Sequence, residues 1–246
     1  MGIVNVTPDS FSDGGVHRDP DAAAAAARRM IHEGAAIVDV GGESTRPGHE
    51  PVSLDEELRR VVPVLERLAG IPVSIDTSKA EVAQRALDLG AELVNDVTAL
   101  RGDARMAARV SESGAGVCLM HWDKVGEVAE VWRFLEQRLE FAVDSGIDED
   151  RIVLDPGIGF GKTVAQNFEL VRRLGELVEL GRPVLVGFSR KSSLGRVLGD
   201  PDARQGPLSA SLAAAVTAYE RGATILRVHD VREHVEALTV AAEVAG

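Results

Sequence analysis

The chain has 246 residues, and 39 acidic against 27 basic side chains give it a net charge of −12. This balance argues against nucleic acid or an anionic membrane as a general partner, and no apolar run approaches the roughly 18 residues that a membrane span requires. The first residues lack the features of a signal peptide, and the one cysteine, Cys118, excludes an internal disulfide framework. We therefore expect a cytoplasmic protein. Because the net charge is negative, a site for an anionic ligand would need several basic side chains close together.

Short apolar segments rich in Val and Ile alternate with longer segments of helical periodicity along the chain. The predicted strands are 2–6, 36–40, 72–75, 93–97, 116–120, 151–154, 183–187 and 223–228. The predicted helices are 22–33, 54–69, 79–89, 104–112, 127–145, 164–180, 207–222 and 231–245. Repeated strand–helix units of about 30 residues are typical of a TIM barrel, so we expect an α/β fold, a (β/α)8 barrel, with residues 1–246 as a single domain.

Local signals agree with this pattern. Ser53, with Glu56 three residues later, is predicted to cap the second helix. The strands are almost continuously apolar, as expected of parallel strands covered on both faces. A doubly wound open sheet is the alternative fold. It would be expected to have fewer strand–helix repeats, or a Gly-x-Gly-x-x-Gly turn after the first strand, and the sequence has neither. Glycines that suit left-handed helix caps stand at the predicted helix ends: Gly34, Gly70, Gly90, Gly114, Gly146, Gly181 and Gly222.

Polar residues gather where the predicted strands end, which is where a TIM barrel has its active site. Each has an ordinary explanation when taken alone, such as a helix cap for Asp76 or an ion pair with Asp230 for Arg227. Their shared position at one end of the barrel instead indicates a binding site. In chain order they are Asn5, Glu43, Ser44, Thr45, Arg46, Asp76, Asn95, Asp96, His121, Asp155, Ser189, Arg190, Lys191, Ser192, Arg227 and His229.

Two chemistries are indicated within this ring. The first set lies on strands one, two and eight, which are neighbours in a closed barrel, and it forms a cationic patch for an anion such as phosphate: Asn5, Arg46, Arg227 and His229. The second set offers donors and acceptors that suit the edge of a flat, nitrogen-rich heterocycle: Asp76, Asn95, Asp155 and Lys191. A carboxylate metal site is the alternative for the second set, although Asn95 and Lys191 argue against a closed cation cage. No Ser-His-Asp arrangement supports a protein nucleophile.

The densest motif covers residues 151–163, where a predicted strand runs into Asp-Pro-Gly-Ile-Gly-Phe-Gly-Lys-Thr. It resembles a phosphate-binding P-loop, but only three residues separate Gly157 from Gly161, so the backbone N–H groups would not surround a phosphate. The better interpretation is the end of strand six, with Asp155 directed into the barrel. Lys162 is then expected to be a surface residue at the start of the next helix.

In this order the motifs resemble those of the dihydropteroate synthase family of the folate pathway. The matching stretches are GIVNVTPDSFSDGG from Gly2, DVGGESTRPG from Asp39, SIDT from Ser74, NDV from Asn95, MH from Met120, DPGIGFGK from Asp155, GFSRKS from Gly187 and RVHDV from Arg227. The resemblance implies condensation of 6-hydroxymethyl-7,8-dihydropterin pyrophosphate with p-aminobenzoate, which gives 7,8-dihydropteroate and pyrophosphate, with Mg²⁺ as cofactor. It also implies a homodimer in a family that sulfonamides target.

The resemblance assigns roles by position. Pterin would bind to Asp76, Asn95, Asp155 and Lys191, and the catalytic residues would be Asp76, Asp155 and Lys191. Pyrophosphate would bind to Asn5, Arg46, Arg227 and His229, with Asn5 also the Mg²⁺ ligand. The p-aminobenzoate pocket would be shaped, beside Lys191, by Thr45, Pro47, Phe160 and Ser192. The loops around Phe11 and Pro47 would become ordered once pyrophosphate is present.

The sequence departs from the family pattern after His121, where a short connection, Trp122 to Gly126, precedes the fifth predicted helix. Either Trp122 replaces part of the pterin-pocket wall or closure over the substrate is impaired. The chain also begins almost on its first strand, which we expect to affect stability more than chemistry. Two alternative functions stay open: a catalytically silent pterin-binding paralogue, and a pterin-dependent methyltransferase, against which the cations Arg190 and Lys191 argue.

Overall fold

The computed structural model describes residues 1–7, 19–44 and 51–245. Several predictions concern residues outside these ranges: the first long loop with Phe11, and the segment that carries Thr45, Arg46 and Pro47. They stay predictions.

The described strands form a closed parallel barrel. Strands β1 to β6 pair in chain order, and β7 pairs with β8. Between β6 and β7 the Leu154 N–H donates to the Pro183 carbonyl (2.9 Å), and between β1 and β8 the Ile3 N–H donates to the Val228 carbonyl (3.0 Å). The expected (β/α)8 barrel is confirmed. The strands are β1 (Gly2–Asn5), β2 (Val38–Gly41), β3 (Val73–Asp76), β4 (Leu93–Asp96), β5 (Gly116–Met120), β6 (Ile152–Asp155), β7 (Leu185–Val186) and β8 (Ile225–Leu226).

Helices follow the strands and cover the outside of the barrel. They are α1 (Pro20–His32), α2 (Leu54–Arg67), α3 (Ala80–Asp88), α4 (Met106–Ser113), α5 (Ala129–Asp144), α6 (Val164–Arg172), α7 (Leu174–Val178), α8 (Ser192–Val197), α9 (Leu208–Glu220) and α10 (Val231–Ala245), with a 3₁₀ turn at Glu149–Arg151. Within the described ranges, no helix combines the length and apolar composition needed to cross a membrane.

The predicted helix signals are present. Ser53 Oγ accepts a hydrogen bond from the Glu56 N–H at 3.2 Å, so the second helix is capped as expected. The seven glycines predicted to end helices all have positive φ, from 68° at Gly114 to 102° at Gly34. These positions therefore need the left-handed backbone that glycine adopts without strain.

The sequence prediction of the helices was wrong in two places. The expected helix 164–180 is two helices, α6 and α7, because Arg173 leaves helical geometry between them (φ −103°, ψ 18°). The short helix α8 was not predicted at all, because six residues are too few to show a clear helical period.

Strands β7 and β8 are shorter than the predicted 183–187 and 223–228. The N–H groups of Thr224 and Ile225 both donate to the Val184 carbonyl, at 3.0 and 3.1 Å, so two residues of one strand face one of the other. This is the pattern of a β-bulge. The Thr224 hydroxyl also accepts from the Val184 N–H at 2.9 Å, in place of a backbone carbonyl.

The barrel interior changes character along the strands. Near their N-terminal ends the buried residues are apolar, with Leu93, Cys118, Val153 and Leu185 packed together. Near their C-terminal ends polar residues are buried instead, among them Asp76, Asn95 and Asp155, and Asp39 of β2 is hydrogen-bonded to Asn95. The polar end is the one at which the sequence predicted the site.

Candidate active site

A cavity of about 270 Å³ opens at the C-terminal end of the barrel. All the predicted site residues that the structure describes line it: Asn5, Asp76, Asn95, Asp155, Phe160, Lys191, Ser192, Arg227 and His229. Thr45, Arg46 and Pro47 lie outside the described residues. Two members of the predicted ring, Asp96 and His121, are buried but are not among the lining residues. The two sets of residues that the sequence separated therefore share one cavity.

Arg227 connects the two sets. Its Nε donates to Asp39 Oδ2 at 2.6 Å, and its Nη2 donates to Asp76 Oδ2 at 2.8 Å. Asn95 Nδ2 also donates to Asp39 Oδ2, at 2.9 Å, so the network links β2, β3, β4 and β8. Although burial lowers the pKa of Arg227, the two carboxylates more than offset this effect and raise it. Arg227 therefore stays charged and neutralises buried aspartates.

Asp39 was given no role from the sequence, although it is fully buried and carries the centre of this network. The available signal was an acidic residue within the apolar strand Ile37-Val38-Asp39-Val40. A charge at such a position needs a buried partner. The sequence could not show that this partner is Arg227, which lies 188 residues away.

Two buried acceptor atoms on residues that line the cavity lack hydrogen-bond partners within the described structure. They are Asp76 Oδ1 and Asn95 Oδ1, and both are buried. Buried polar atoms are nearly always hydrogen-bonded, so unpaired acceptors in a cavity wall favour a ligand with N–H or O–H donors. This observation supports the predicted recognition of a nitrogen-rich heterocycle.

Two of the carboxyl groups that line the cavity, those of Asp76 and Asp155, have raised pKa values. Burial raises the pKa of Asp76 to about 7, although the charge of Arg227 opposes the rise. Burial also raises the pKa of Asp155 to about 6, against a hydrogen bond from the Gly157 N–H and the charge of Lys191. Both groups thus change charge close to neutral pH, which is common at functional sites.

The motif after β6 is folded tightly around Asp155. Asp155 Oδ1 accepts from the Gly157 N–H at 2.7 Å. Gly157 has φ of 70°, and a Cβ there would lie 1.8 Å from the His121 carbonyl oxygen, so no other residue fits. Further along, Lys191 Nζ lies 4.2 Å from the centroid of the Phe160 ring. Asp155, Phe160 and Lys191 thus meet at one wall of the cavity.

The prediction that Lys162 is a surface residue was wrong. Its Nζ donates to the His121 carbonyl at 2.6 Å and contacts His121 Nδ1 at 2.8 Å. Burial lowers the pKa of Lys162 to about 7, and the charge of Asp155 opposes this change. The glycine-rich turn folds the chain back over the end of β5, which buries the lysine before α6 begins at Val164. The sequence showed the turn but not what it packs against.

His229 is held by Ser189. The Ser189 hydroxyl accepts from the His229 backbone N–H at 3.2 Å and lies 3.1 Å from the ring Nδ1. Burial and the nearby charge of Arg190 lower the pKa of His229 to about 3, so the ring is neutral. If the hydroxyl donates to Nδ1, the hydrogen of the neutral ring is on Nε2, and Nε2 is then a donor.

A buried ionic cluster adjoins the cavity near β2. Lys79 Nζ bonds to the carboxylates of Glu43 and Glu57, and the Thr77 hydroxyl donates to Glu57 at 2.6 Å. Glu57 is fully buried, whereas Glu43 lines the cavity. This cluster connects the ends of β2 and β3 to α2. Its member Glu43 lies in the chain just before the segment 45–50. The sequence had indicated Glu43 but not its partners.

Comparison with known proteins agrees with this site. The sequence profile described as "Pterin binding enzyme" matches residues 1–229. Dihydropteroate synthase of Escherichia coli (strain K12) is 46% identical over 98% of this chain and 89% of its own length. The enzyme of the same name from Mycobacterium leprae (strain TN) is 46% identical over 98% of this chain and 91% of its own.

Solved structures give the same result. Dihydropteroate synthase of Xanthomonas albilineans, in complex with 7,8-dihydropteroate, has a TM-score of 0.90 and 47% identity, covering 100% of this chain and 93% of the other. The Yersinia pestis enzyme, in complex with a sulfonamide drug, has a TM-score of 0.93 and 43% identity, covering 100% and 93%. The chain therefore belongs to the pterin-binding enzyme family, in which it is a transferase of the dihydropteroate synthase type.

Proposed function

We propose that this cavity condenses 6-hydroxymethyl-7,8-dihydropterin pyrophosphate with p-aminobenzoate to give 7,8-dihydropteroate and pyrophosphate. The observation that carries this proposal is the pair of unpartnered buried acceptors, Asp76 Oδ1 and Asn95 Oδ1, in a cavity that also contains Arg227, His229 and Lys191. The acceptors suit the N–H groups of a pterin edge, and the cations suit its pyrophosphate. Relatives named dihydropteroate synthase, one of them in complex with 7,8-dihydropteroate, support the assignment.

The pterin would bind deepest in the barrel. Asp76 and Asn95 would accept hydrogen bonds from its ring nitrogens, with Asp155 and Lys191 completing the contacts. Asp76 and Asn95 are themselves held by Arg227 and Asp39, so their free oxygens are fixed before the ligand arrives. Such preorganisation lowers the entropy cost of binding.

The pyrophosphate would lie nearer the opening. The proposed ligands are Asn5, Arg46, Arg227 and His229. The bonds from Arg227 to Asp39 and Asp76 use only part of its guanidinium, so other N–H groups can bond to phosphate oxygens. A neutral His229 with its hydrogen on Nε2 would add one further donor.

The residues present fit a Mg²⁺ ion that arrives with the pyrophosphate. Among residues 1–7, 19–44 and 51–245, no group of three His, Cys, Asp or Glu could enclose a metal. Mg²⁺ commonly keeps several waters and binds one protein oxygen together with substrate phosphates. Asn5 would supply that oxygen, since it lines the cavity. The ion would take up negative charge as pyrophosphate departs.

The p-aminobenzoate would bind against Phe160 and Ser192, beside Lys191. The ring of Phe160 offers a flat apolar surface, and Lys191 and Ser192 offer donors to a carboxylate. Thr45 and Pro47 are proposed to complete this pocket.

The proposed reaction needs charge stabilisation more than a strong base. Arg227 and His229 would stabilise the departing pyrophosphate, which leaves a cationic methylene on the pterin. Above about pH 7, Asp155 is ionised, and its negative charge would favour that cation. The neutral aromatic amine would then attack an activated carbon that is already within reach.

The direct test is turnover by the purified protein with Mg²⁺ and both substrates, measured as 7,8-dihydropteroate formed. We expect pyrophosphate release only when both substrates are present, and no turnover by a folded Lys191→Ala variant. Pterin binding without product would support the silent paralogue, and methyl transfer from methyltetrahydrofolate would support the methyltransferase. A near-normal rate in Lys191→Ala would contradict the role given to Lys191.

We also propose that the enzyme is a cytoplasmic homodimer that pairs through its later helices. Large apolar side chains are exposed there, including Leu198 on the turn after α8, and Val240 and Val244 on α10. Light scattering at several protein concentrations would measure the mass, and a monomer at micromolar concentration would contradict the proposal.

A further inference from the structure

The connection after β5 and the motif after β6 are packed directly against each other. A Cβ at Gly161 would lie 2.7 Å from the carbonyl carbon of Asp123, so the two backbones touch at this point. The contact of Gly157 with the His121 carbonyl oxygen is closer still. Neither glycine can be replaced without moving a backbone segment.

Side chains fasten the same two segments. Lys162 Nζ bonds to the His121 carbonyl at 2.6 Å. At the far end of the connection, Gln166 Nε2 donates to the carbonyls of Val125 (2.9 Å) and Gly126 (3.2 Å). The segment from the glycine motif to the first turn of α6 is thus attached to both ends of the short connection, and in the chain Phe160 lies between the close contacts at Gly157 and Gly161.

Trp122 provides the contact at the centre. Its ring centroid lies 5.2 Å from that of Phe160, with an angle of 45° between the rings. Phe160 lines the cavity and in turn lies under Lys191 Nζ, whereas Trp122 is not among the lining residues. A row of three side chains therefore runs from the connection after β5 to the cavity wall: Trp122, Phe160 and Lys191.

We propose that Trp122 is a positioning residue for the aromatic amine substrate, acting through Phe160. This inference rests on the proposed function, which places p-aminobenzoate against Phe160. With Trp122 behind it, the Phe160 ring keeps one orientation and presents a fixed flat surface to the substrate. Without Trp122, the ring gains freedom to rotate, and ordering it again on binding lowers the affinity for the substrate. The pterin contacts at Asp76 and Asn95 do not involve Trp122, so pterin binding is spared.

The first test compares Michaelis constants. For Trp122→Ala we expect the KM for p-aminobenzoate to rise about threefold to tenfold, the range expected for losing one aromatic pair. The KM for pterin pyrophosphate and the value of kcat should not change. Trp122→Phe, which keeps a ring, should restore most of the affinity. Lys124→Ala, at an exposed residue of the same connection, is the matched control and should behave as the parent.

A double-mutant cycle tests whether Trp122 acts through Phe160. Once Phe160→Ala has removed the ring, adding Trp122→Ala should raise the KM for p-aminobenzoate no further. Additive effects would overturn the inference. So would an unchanged KM for p-aminobenzoate in Trp122→Ala, or an equal rise in both Michaelis constants, which a general loss of structure would cause.

A second readout does not depend on activity. The chain has two tryptophans, so Trp132→Phe leaves Trp122 as the only one. In that background we expect Phe160→Ala to shift the emission of Trp122 and to abolish its response to p-aminobenzoate added with pyrophosphate. A parent protein that forms no dihydropteroate would refute the proposed function, whereas an emission unaffected by Phe160→Ala would refute the contact itself.

Discussion

The two ends of the barrel interior have opposite chemistry within one fold. At the N-terminal ends of the strands, Leu93, Val153 and Leu185 pack with Cys118. Two residues further along β4 and β6 are Asn95 and Asp155, and this polar set is completed by Asp39 on β2, Asp76 on β3 and Arg227. Both sets are buried, but only the polar set has acceptors without partners.

This difference means that the apolar end mainly stabilises the fold, whereas the polar end mainly serves ligand binding. Apolar burial stabilises a fold without further conditions. A buried carboxylate stabilises little or nothing unless it is paired and hydrogen-bonded. The polar end therefore lowers the stability of the empty barrel, and ligand binding can offset this loss. Three changes test this division, in order of expected effect.

Arg227→Met should have the largest effect, because it removes the counterion of two buried aspartates. Breaking a buried ion pair from one side costs about 3–5 kcal/mol, so we expect a loss of that order in the free energy of unfolding. Turnover should also be lost, since Asp76 would be protonated or displaced. Chemical denaturation and steady-state kinetics would measure both effects.

Arg105→Met is the matched control for this change. Arg105 forms an exposed pair with Asp103, at 60% and 20% side-chain exposure, and such solvent-screened pairs contribute little to stability. If Arg227→Met unfolded at the same denaturant concentration as Arg105→Met, the stability of the buried network around Asp39 would not depend on the positive charge of Arg227.

Leu185→Ala should destabilise without impairing the site. Leu185 is fully buried at the apolar end, and such truncations cost about 2–5 kcal/mol. We expect kcat and both Michaelis constants per folded molecule to stay at parent values, because Leu185 packs with Leu93, Cys118 and Val153, none of which lines the cavity. Val143→Ala, at an exposed position on α5, is the control. A large change in kcat for Leu185→Ala would show that the two ends are coupled.

Asp155→Asn should stabilise the fold while abolishing activity. Since the folded-state pKa of Asp155 is about 6, above its ordinary value of 3.8, its contribution to stability is greatest below pH 4 and is lost as pH rises through 6. At pH 8 the neutral amide avoids this loss, and we expect a gain of about 3 kcal/mol in the free energy of unfolding. Unfolding curves at pH 8 and pH 4 would measure it.

The gain should shrink towards zero at the lower pH, because Asp155 in the folded protein is then neutral. In the parent enzyme, kcat/KM should fall as pH is lowered through about 6, where the same group gains its proton. Equal stabilisation at both pH values would mean that charge is not the cause.

Much of the fold and site could be predicted because the relevant signals are local. Strand ends, helix caps and glycine positions are set within a few residues, so the sequence alone could place Asn5, Asp76, Asn95, Asp155 and Arg227 at one end of a barrel. The resemblance to the dihydropteroate synthase family rested on the same motifs, and the comparisons confirmed it.

The errors came from contacts between distant segments. Lys162 resembled a surface residue because it stands between a glycine turn and the start of a helix, yet its amine is held by His121 on another strand's end. The bulge that shortens β7 and β8 likewise depends on Thr224 bonding across to Val184. Neither partner can be deduced from sequence distance.

By itself, the sequence determined the barrel, the end at which the site lies and most of the residues that line it, because periodicity and turn chemistry act locally. Only the tertiary structure decided which charges meet. Arg227 is paired with Asp39 and Asp76 because closing the barrel brings the end of β8 close to β2 and β3, and Trp122 lies behind Phe160 because the connections after β5 and β6 pack together. Pairing of this kind depends on three-dimensional distance, and that distance is set by closure of the barrel.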